Sequence, residues 1–506
     1  MKWYDINQPL LKFKSSKVDT AFTIKDSFEA VSIMGSTGSG KTSTSFSQIA
    51  SAYLSHGYGA LLLTVKKTDK SDFLKLCEQT GRMDHVRVIG VGQPYKFNFL
   101  EYECQQPDGS LGLTENIVDL LTSVINAGLD DKGSSSEDSF WSDALTMVLS
   151  SVIDLCKIAY QTVTVQLIYD IGQSLPKKED NLKELLAGDT KTPTAFQKAY
   201  FKARKNIVQQ AGEWESKLSQ ERLDELEDNE RYEDALFEAV PDARTFKMID
   251  QFFVETLKNL ADRTRSVVDF KLMGFLFPLL KSPIYPLFCM GKSNITPDMC
   301  SDGAIIIIDM PTKEYFQAGR SIQLIFKLLF QRAMERRPIN LQTRPVALIS
   351  DEAQTFIVNK DLNFQLTARS SKIAILYVTQ NILNYYSAMG GKNPEYLAKS
   401  LLANFTTKIF HCNTGETNEW ASSLIGEDYF LDQNYSSTYS KEYSQSNGAS
   451  YSLRRILRPE VFSKLKMGSE ISNNLVEAII HKQGNPIDGV DNHLLVTFRQ
   501  SPRIAG

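Results

Sequence analysis

Gly35-Ser36-Thr37-Gly38-Ser39-Gly40-Lys41-Thr42 fits the pattern G-x-x-x-x-G-K-[ST] of a phosphate-cradling loop. The flanks supply the context such a loop needs. Ala30-Val31-Ser32-Ile33-Met34 is a short apolar run that reads as a strand. Thr42-Ser43-Thr44-Ser45-Phe46-Ser47-Gln48-Ile49-Ala50 reads as a helix start. The glycines let backbone N–H groups curl round phosphates, and the helix N-terminus adds the positive end of its dipole. Gly35 to Ser43 therefore form the expected nucleotide cradle. Lys41 would reach the β- and γ-phosphates, and the Thr42 hydroxyl would hold Mg²⁺.

A P-loop needs a carboxylate at the end of a neighbouring strand to complete the metal shell, and a following Glu can polarise the attacking water. Two strand ends offer one. Asp309 follows four isoleucines, but Met310-Pro311 comes next and supplies no second acid. Asp351-Glu352 follows Val346-Ala347-Leu348-Ile349-Ser350 and supplies both groups. Asp351 is thus expected at the metal and Glu352 at the water, with Asp309 left as a strand-end residue. Thr379-Gln380-Asn381 ends the next strand, where Gln380 would sense the γ-phosphate or position water. Arg369, just before that strand, reads on spacing alone as an ordinary exposed arginine.

The surroundings alternate as an α/β protein does. Gly59–Val65, Val86–Val91, Gly303–Asp309, Pro345–Asp351, Ile373–Thr379 and Thr406–His411 are the expected strands, and Ser321–Arg336 a helix between them. Between the first two strands and the rest the character changes. Glu115–Ala127 and Phe140–Tyr160 have helical spacing, around a polar loop at 130–136. From Lys183 to about Thr264 the chain is highly charged, and Glu213–Glu238 is especially acidic, as a solvated helical face would be. The reading is a mostly parallel sheet of RecA-like P-loop type with an inserted all-α domain: 1–111 and 269–506 bind nucleotide, and 112–268 is the insertion. Asn434–Ser452, rich in Ser and Tyr, reads as a mobile surface loop whose Tyr435, Tyr439, Tyr443 and Tyr451 offer rings to stack on bases. Lys66, Lys67 and Lys70 form a local basic group that reads as a solvated strand end, with a channel role as the alternative.

The totals narrow the class. The chain has 506 residues, 42% hydrophobic and 23% charged, with a net charge of −4. That is a globular composition with no global basic footprint, so contact with nucleic acid must come from local patches or from assembly geometry. Six cysteines lack C-x-x-C spacing and five histidines are scattered, so scattered buried thiols are expected rather than a metal site. No apolar run reaches about 18 residues, so no membrane helix is expected, and Met1–Asp5 does not open a signal peptide.

Taken together these motifs resemble the FtsK–HerA class of hexameric P-loop motors, and within it the TraG/TraD-like coupling proteins of conjugation and type IV secretion. Tyr95-Lys96-Phe97-Asn98-Phe99-Leu100 resembles that family's Phe-Asn-Pro-Leu strand exit, with Phe99 where proline is usual. Phe140-Trp141 resembles the opening of its helical domain, and Asp351-Glu352-Ala353 its Walker B strand. Val378-Thr379-Gln380-Asn381 resembles its sensor strand, and Asn404-Phe405-Thr406-Thr407-Lys408-Ile409 a further recurring segment. Arg454-Arg455-Ile456-Leu457-Arg458-Pro459-Glu460 and Gly484-Asn485-Pro486-Ile487 resemble its closing stretches. The resemblance implies ATP and Mg²⁺ as cofactors, a homo-hexamer, DNA as substrate, and Arg369 as an arginine finger reaching a neighbouring subunit. It also implies relaxase, secretion-channel or nuclease partners. The family usually begins with membrane helices and this sequence shows none, so a cytoplasmic location is expected, with membrane association through a partner. A HerA-like motor working with a nuclease, and a recruitment or assembly ATPase acting on protein substrates, are the alternatives.

Overall fold

A computed structural model describes residues 3, 5–15, 19–105, 112–128, 136–178, 192–226, 228–389, 393–439, 443–484 and 491–500. The polar loop at 130–135, the start of the charged stretch at 183–191, and Asn485-Pro486-Ile487 lie outside the described residues. The chain divides into two compact units, one of residues 1–87, 297–313 and 330–506, the other of 88–296 and 314–329.

The strands in chain order are β1 (Pro9–Phe13), β2 (Thr20–Thr23), β3 (Val31–Met34), β4 (Gly59–Leu63), β5 (Val86–Gly90), β6 (Ile305–Asp309), β7 (Val346–Ser350), β8 (Ile373–Thr379), β9 (Thr407–Phe410), β10 (Glu427–Tyr439), β11 (Tyr443–Arg455), β12 (Leu475–Lys482) and β13 (His493–Arg499). In the first unit the large sheet runs β13-β12-β9-β3-β8-β7-β4-β6. From β9 to β6 neighbouring strands are parallel; β12 and β13 extend the sheet antiparallel from β9. Every residue of β3, β4, β7 and β8 is buried, because a parallel sheet is covered on both faces. That is why these strands read as unbroken apolar runs rather than alternating ones.

The parallel order decides which strand ends meet. β3 carries the P-loop, β8 lies next to it and β7 next to β8, so three loops leave one edge side by side. β6 is four strands from β3, roughly 19 Å at about 4.8 Å per strand. Asp309 therefore ends far from the P-loop, and there it pairs with Lys70 at 2.7 Å.

The second unit is helical among its described residues, apart from the end of β5. Its helices include Thr114–Gly128, Ser136–Tyr160, Ala195–Glu215 and Asp262–Leu279. Thr194 and Gln197 close a reciprocal cap on one of them, with Thr194 N donating to Gln197 Oε1 at 2.8 Å and Gln197 N to Thr194 Oγ1 at 3.2 Å. Its core packs edge to face, as in Phe196 against Phe253 at 4.9 Å. The acidic stretch forms two helices, Gln220–Glu225 and Asn229–Ala239, that bury no residue, as a solvated face does.

One expectation fails outright. The described residues of 434–452 are no loop: β10 and β11 are antiparallel strands of 13 residues each, in unbroken register from Glu427↔Arg455 to Tyr439↔Tyr443, and 440–442 lie outside the described residues. The stretch is rich in serine and tyrosine, and where its burial is described the ribbon is largely exposed on both faces, which tolerates the hydroxyls that suggest a loop. Tyr435 and Tyr451 are exposed on this ribbon. The six cysteines are buried and unpaired. No helix of the described residues is long and apolar enough to cross a membrane.

Candidate nucleotide site

The P-loop follows β3 without slack. Gly35 N donates to Thr379 O at 3.4 Å and Ser36 N to Cys412 O at 2.9 Å, so the ends of β8 and β9 hold its first turn. Gly38 and Gly40 both take φ +81, a region that L side chains rarely adopt. A Cβ on Gly35 would lie 2.7 Å from His411 Cβ, and one on Gly40 would lie 2.6 Å from Val476 Cγ2. These glycines are thus required by backbone angle and by close packing.

The helix expected at Thr42 begins as a π turn over Thr42–Phe46, in which Phe46 N donates to Lys41 O at 3.1 Å; α-helix follows over Ser47–Ser55. A wide first turn leaves spare backbone groups, and local hydroxyls use them. Thr44 Oγ1 donates to Gly40 O at 2.7 Å and Ser47 Oγ to Thr42 O at 2.6 Å. Ser45 Oγ pairs with His411 Nε2 at 2.7 Å. Burial, reinforced by Lys41, pushes the His411 imidazole down to about 3, so it is neutral at pH 7.

The acidic strand end converges on this loop. Thr42 Oγ1 donates to Asp351 Oδ2 at 3.2 Å across 309 positions of sequence. Both acids are buried. Burial raises Asp351 above the usual carboxylate range and adjacent Glu352 adds to the rise, while Lys66 and Lys41 oppose it. Glu352 goes the other way. Burial works against its charge, but hydrogen bonds from Gln354 and Gln380, with Lys41 and Lys66, outweigh it and hold the group below its ordinary value. Gln354 Nε2 donates to Glu352 Oε2 at 2.9 Å, and Gln380 Nε2 donates to Oε1 at 3.1 Å. Lys66 Nζ lies 3.7 Å from the same Oε1. Glu352 sits at φ 54, ψ 50, a left-handed conformation costing about 1–3 kcal/mol that needs support from its surroundings. The four partners supply it. Burial lowers Lys41 and the two acids oppose the fall.

Lys41, Thr42, Asp351, Glu352 and Gln380 thus meet at one edge of the sheet. Arg369 does not join them. It lies at the amino end of β8, a strand of seven residues and so about 23 Å long, and Gln380 lies at the carboxyl end. Its side chain is 64% exposed and pairs only loosely with Glu29, at 3.5 Å.

Four contributors escape the sequence reading. Lys66 is no mere solvated strand end: the register Leu63↔Ser350 places it beside Glu352, and Asp69 Oδ2 fixes its loop by accepting from Val65 N at 2.7 Å and Lys66 N at 2.8 Å. Gln354 is two residues past the acid, and Thr379 Oγ1 donates to its Oε1 at 2.8 Å. Asn413 Nδ2 donates to Gln380 O at 2.6 Å and so holds the backbone at the end of β8. Val476, on an antiparallel strand from the far end of the chain, backs Gly40. Adjacency of strand ends could have suggested Lys66; nothing local marks Val476.

The family model described as the TraM recognition site of TraD and TraG matches residues 345–467, which contain Asp351, Glu352, Arg369, Gln380 and the β10–β11 ribbon. Residues 345–467 are thus TraG/TraD-like. Three solved structures share the fold. The unbound bacterial conjugative coupling protein TrwBdeltaN70 matches with TM-score 0.55 at 12% identity, over 97% of this chain and 88% of that one. TrwB with the ATP analogue ADPNP matches at 0.54 and 12%, over 97% and 89%. TrwB with ADP and Mg²⁺ matches at 0.52 and 11%, over 95% and 87%. No curated protein sequence matches the chain. The TraG/TraD-like segment and the P-loop belong to one compact unit, so the matched region holds half of the candidate site.

Proposed function

We propose that this chain is an ATP-driven DNA-translocating motor of coupling-protein type, which hydrolyses ATP between subunits of a homo-hexameric ring. The observation that carries the proposal is the convergence of Lys41, Thr42, Asp351, Glu352 and Gln380 on one sheet edge. The match to structures of TrwB, one holding ADP and Mg²⁺ and another ADPNP, supports the choice of nucleotide and metal. Asp351 and the Thr42 hydroxyl are the hard oxygen donors that Mg²⁺ takes, and the raised, buried Asp351 is a charge that a cation would stabilise. When bound, the metal would neutralise charge building on the β- and γ-phosphates.

The chain's own residues account for the rest. Backbone N–H groups of residues 35–43 and the Lys41 ammonium grip the phosphates. Glu352, kept ionised by Gln354 and Gln380, accepts a hydrogen bond from the attacking water and orients it. Gln380 touches Glu352 and lies beside Gly35, so loss of the γ-phosphate is felt at the end of β8. Arg369, out of reach of its own P-loop, serves the site of the next subunit. DNA is gripped through backbone phosphates, so binding is weakly sequence-dependent and strongly salt-dependent. The docking of a relaxase, secretion-channel or nuclease partner would place this motor at its site of action.

The test is steady-state ATP hydrolysis by wild type and Glu352→Gln, with and without single- and double-stranded DNA at low salt. A rate that rises with DNA and falls roughly 10²–10⁴-fold in Glu352→Gln supports the motor. Hydrolysis indifferent to every DNA sinks it. A second reading, an ATPase recruiting protein substrates, is favoured by one observation: the matched segment is named for recognition of a protein, TraM, in TraD and TraG.

A further inference from the structure

A cavity of about 370 Å³ lies in the same unit as the P-loop, and no P-loop residue lines it. Its floor is formed by Lys408 and His481, on neighbouring strands. Register pairs Lys408 of β9 with His481 of β12, and His481 with His493 of β13, so the three project from one face. Its walls come from two helices. Pro394–Ala403 brings Lys399 and Ala403; Glu416–Ile425 brings Trp420 and Leu424. Gln483 and Asn492 line the rest.

Among the described residues, the polar end of this cavity is short of negative charge. The Lys408 side chain is 1% exposed and donates to a single backbone carbonyl, that of Phe405. Burial lowers it to about 8 and no carboxylate acts on it, so at neutral pH it remains largely charged. His481 is buried and its Nδ1 makes no hydrogen bond of good geometry, although the Leu424 carbonyl lies toward the ring. Burial, then Lys408 and His493, push it down to about 4, which leaves a neutral ring able to donate or accept. At the mouth the acid Glu395 is taken by Lys399 at 2.5 Å. A buried ammonium with no counter-ion among the described residues is costly unless something anionic arrives. The other end is apolar: half-buried Trp420 packs edge-on against Phe410 at 5.7 Å, with Leu424 and Ala403 beside it. The volume falls in the range of small-ligand sites, about 300–1,000 Å³, and far exceeds the room for a lone ion.

We infer that this cavity is a second ligand site, separate from the P-loop, which takes a small amphiphilic anion whose phosphate or carboxylate meets Lys408 and His481 and whose apolar body lies against Trp420. The site requires nothing of the P-loop. The helices that close it flank Thr406–Asn413, the stretch that ends in the Asn413 holding Gln380, so occupancy would be felt at the sensor strand.

The test uses Lys41→Ala protein, so that the P-loop does not capture the probe. Phenyl phosphate and benzoate are titrated by calorimetry, with phenol and inorganic phosphate as controls, and tryptophan emission is followed in parallel. One-to-one binding of phenyl phosphate or benzoate is expected, at least about tenfold weaker after Lys408→Met, since an ionised hydrogen bond is lost. The emission change is expected to vanish in Trp420→Phe. The tighter anion assigns the headgroup. If Lys408→Met does not fold, Lys399→Ala at the exposed mouth provides the same comparison, with binding several-fold weaker. Absence of saturable binding by either anion to protein melting like its parent overturns the inference. So does affinity unchanged by both lysine substitutions.

Discussion

Gly40→Ala isolates the dependence of the P-loop on a strand more than 400 positions away. Two costs follow from the geometry. The residue sits at φ +81, and an L side chain in a left-handed conformation costs about 1–2 kcal/mol. The new Cβ would lie 2.6 Å from Cγ2 and 3.1 Å from Cγ1 of Val476, which is fully buried and cannot swing away. Overpacking of this kind costs about 1–3 kcal/mol. The single variant should therefore lose roughly 2–5 kcal/mol. Val476→Ala alone removes two buried carbons, worth about 0.8 kcal/mol each plus a small cavity, or roughly 2 kcal/mol. In the double variant the colliding atoms are gone, so only the backbone strain and the lost burial remain. It should be more stable than the sum of the singles by about 1–3 kcal/mol. Urea unfolding of all four proteins measures this coupling. Additivity within about 0.5 kcal/mol would refute the packing of β12 on the P-loop.

Two further outcomes follow from the charges. Asp351→Asn should abolish Mg²⁺-dependent hydrolysis yet raise the thermal stability of nucleotide-free protein at neutral pH, because burial and Glu352 make the native carboxylate unfavourable. The folded group binds its proton at higher pH than the unfolded one. The advantage of Asn is thus full above the folded pKa and shrinks as pH falls through it; a melting temperature that drops at pH 7 would overturn this. Arg369→Ala should leave stability within about 0.5 kcal/mol and nucleotide affinity unchanged, while cutting turnover about 10³-fold or more. Mixing it with Lys41→Ala subunits should restore part of the activity, and mixtures as inactive as their components would remove Arg369 from the neighbour's site.

Much of the candidate site is legible before any coordinates. A P-loop is contiguous, and its glycines, lysine and threonine are required by local backbone geometry and by phosphate chemistry. Buried parallel strands show as apolar runs, and each run ends in the residues it delivers to the carboxyl edge. Asp351-Glu352 and Gln380 can be picked out for that reason. The ribbon at 427–455 is misread because its composition signals a loop, while its strands are held by cross-strand pairing that no local pattern reveals.

The sequence by itself determined the fold class and the chemical identities of the candidate site: which residues could cradle phosphate, hold a cation and orient water. Only the tertiary structure decided which of them share a site. Strand order is set by long-range burial, and it separates Asp309 from the P-loop by four strands while bringing Thr42 to Asp351 across 309 positions. The same order sends Arg369 to the opposite edge, lays Val476 on Gly40, and lines Lys408, His481 and His493 along one face. Those juxtapositions are made by three-dimensional packing between strands distant in the chain, and no periodicity within a strand encodes its neighbour.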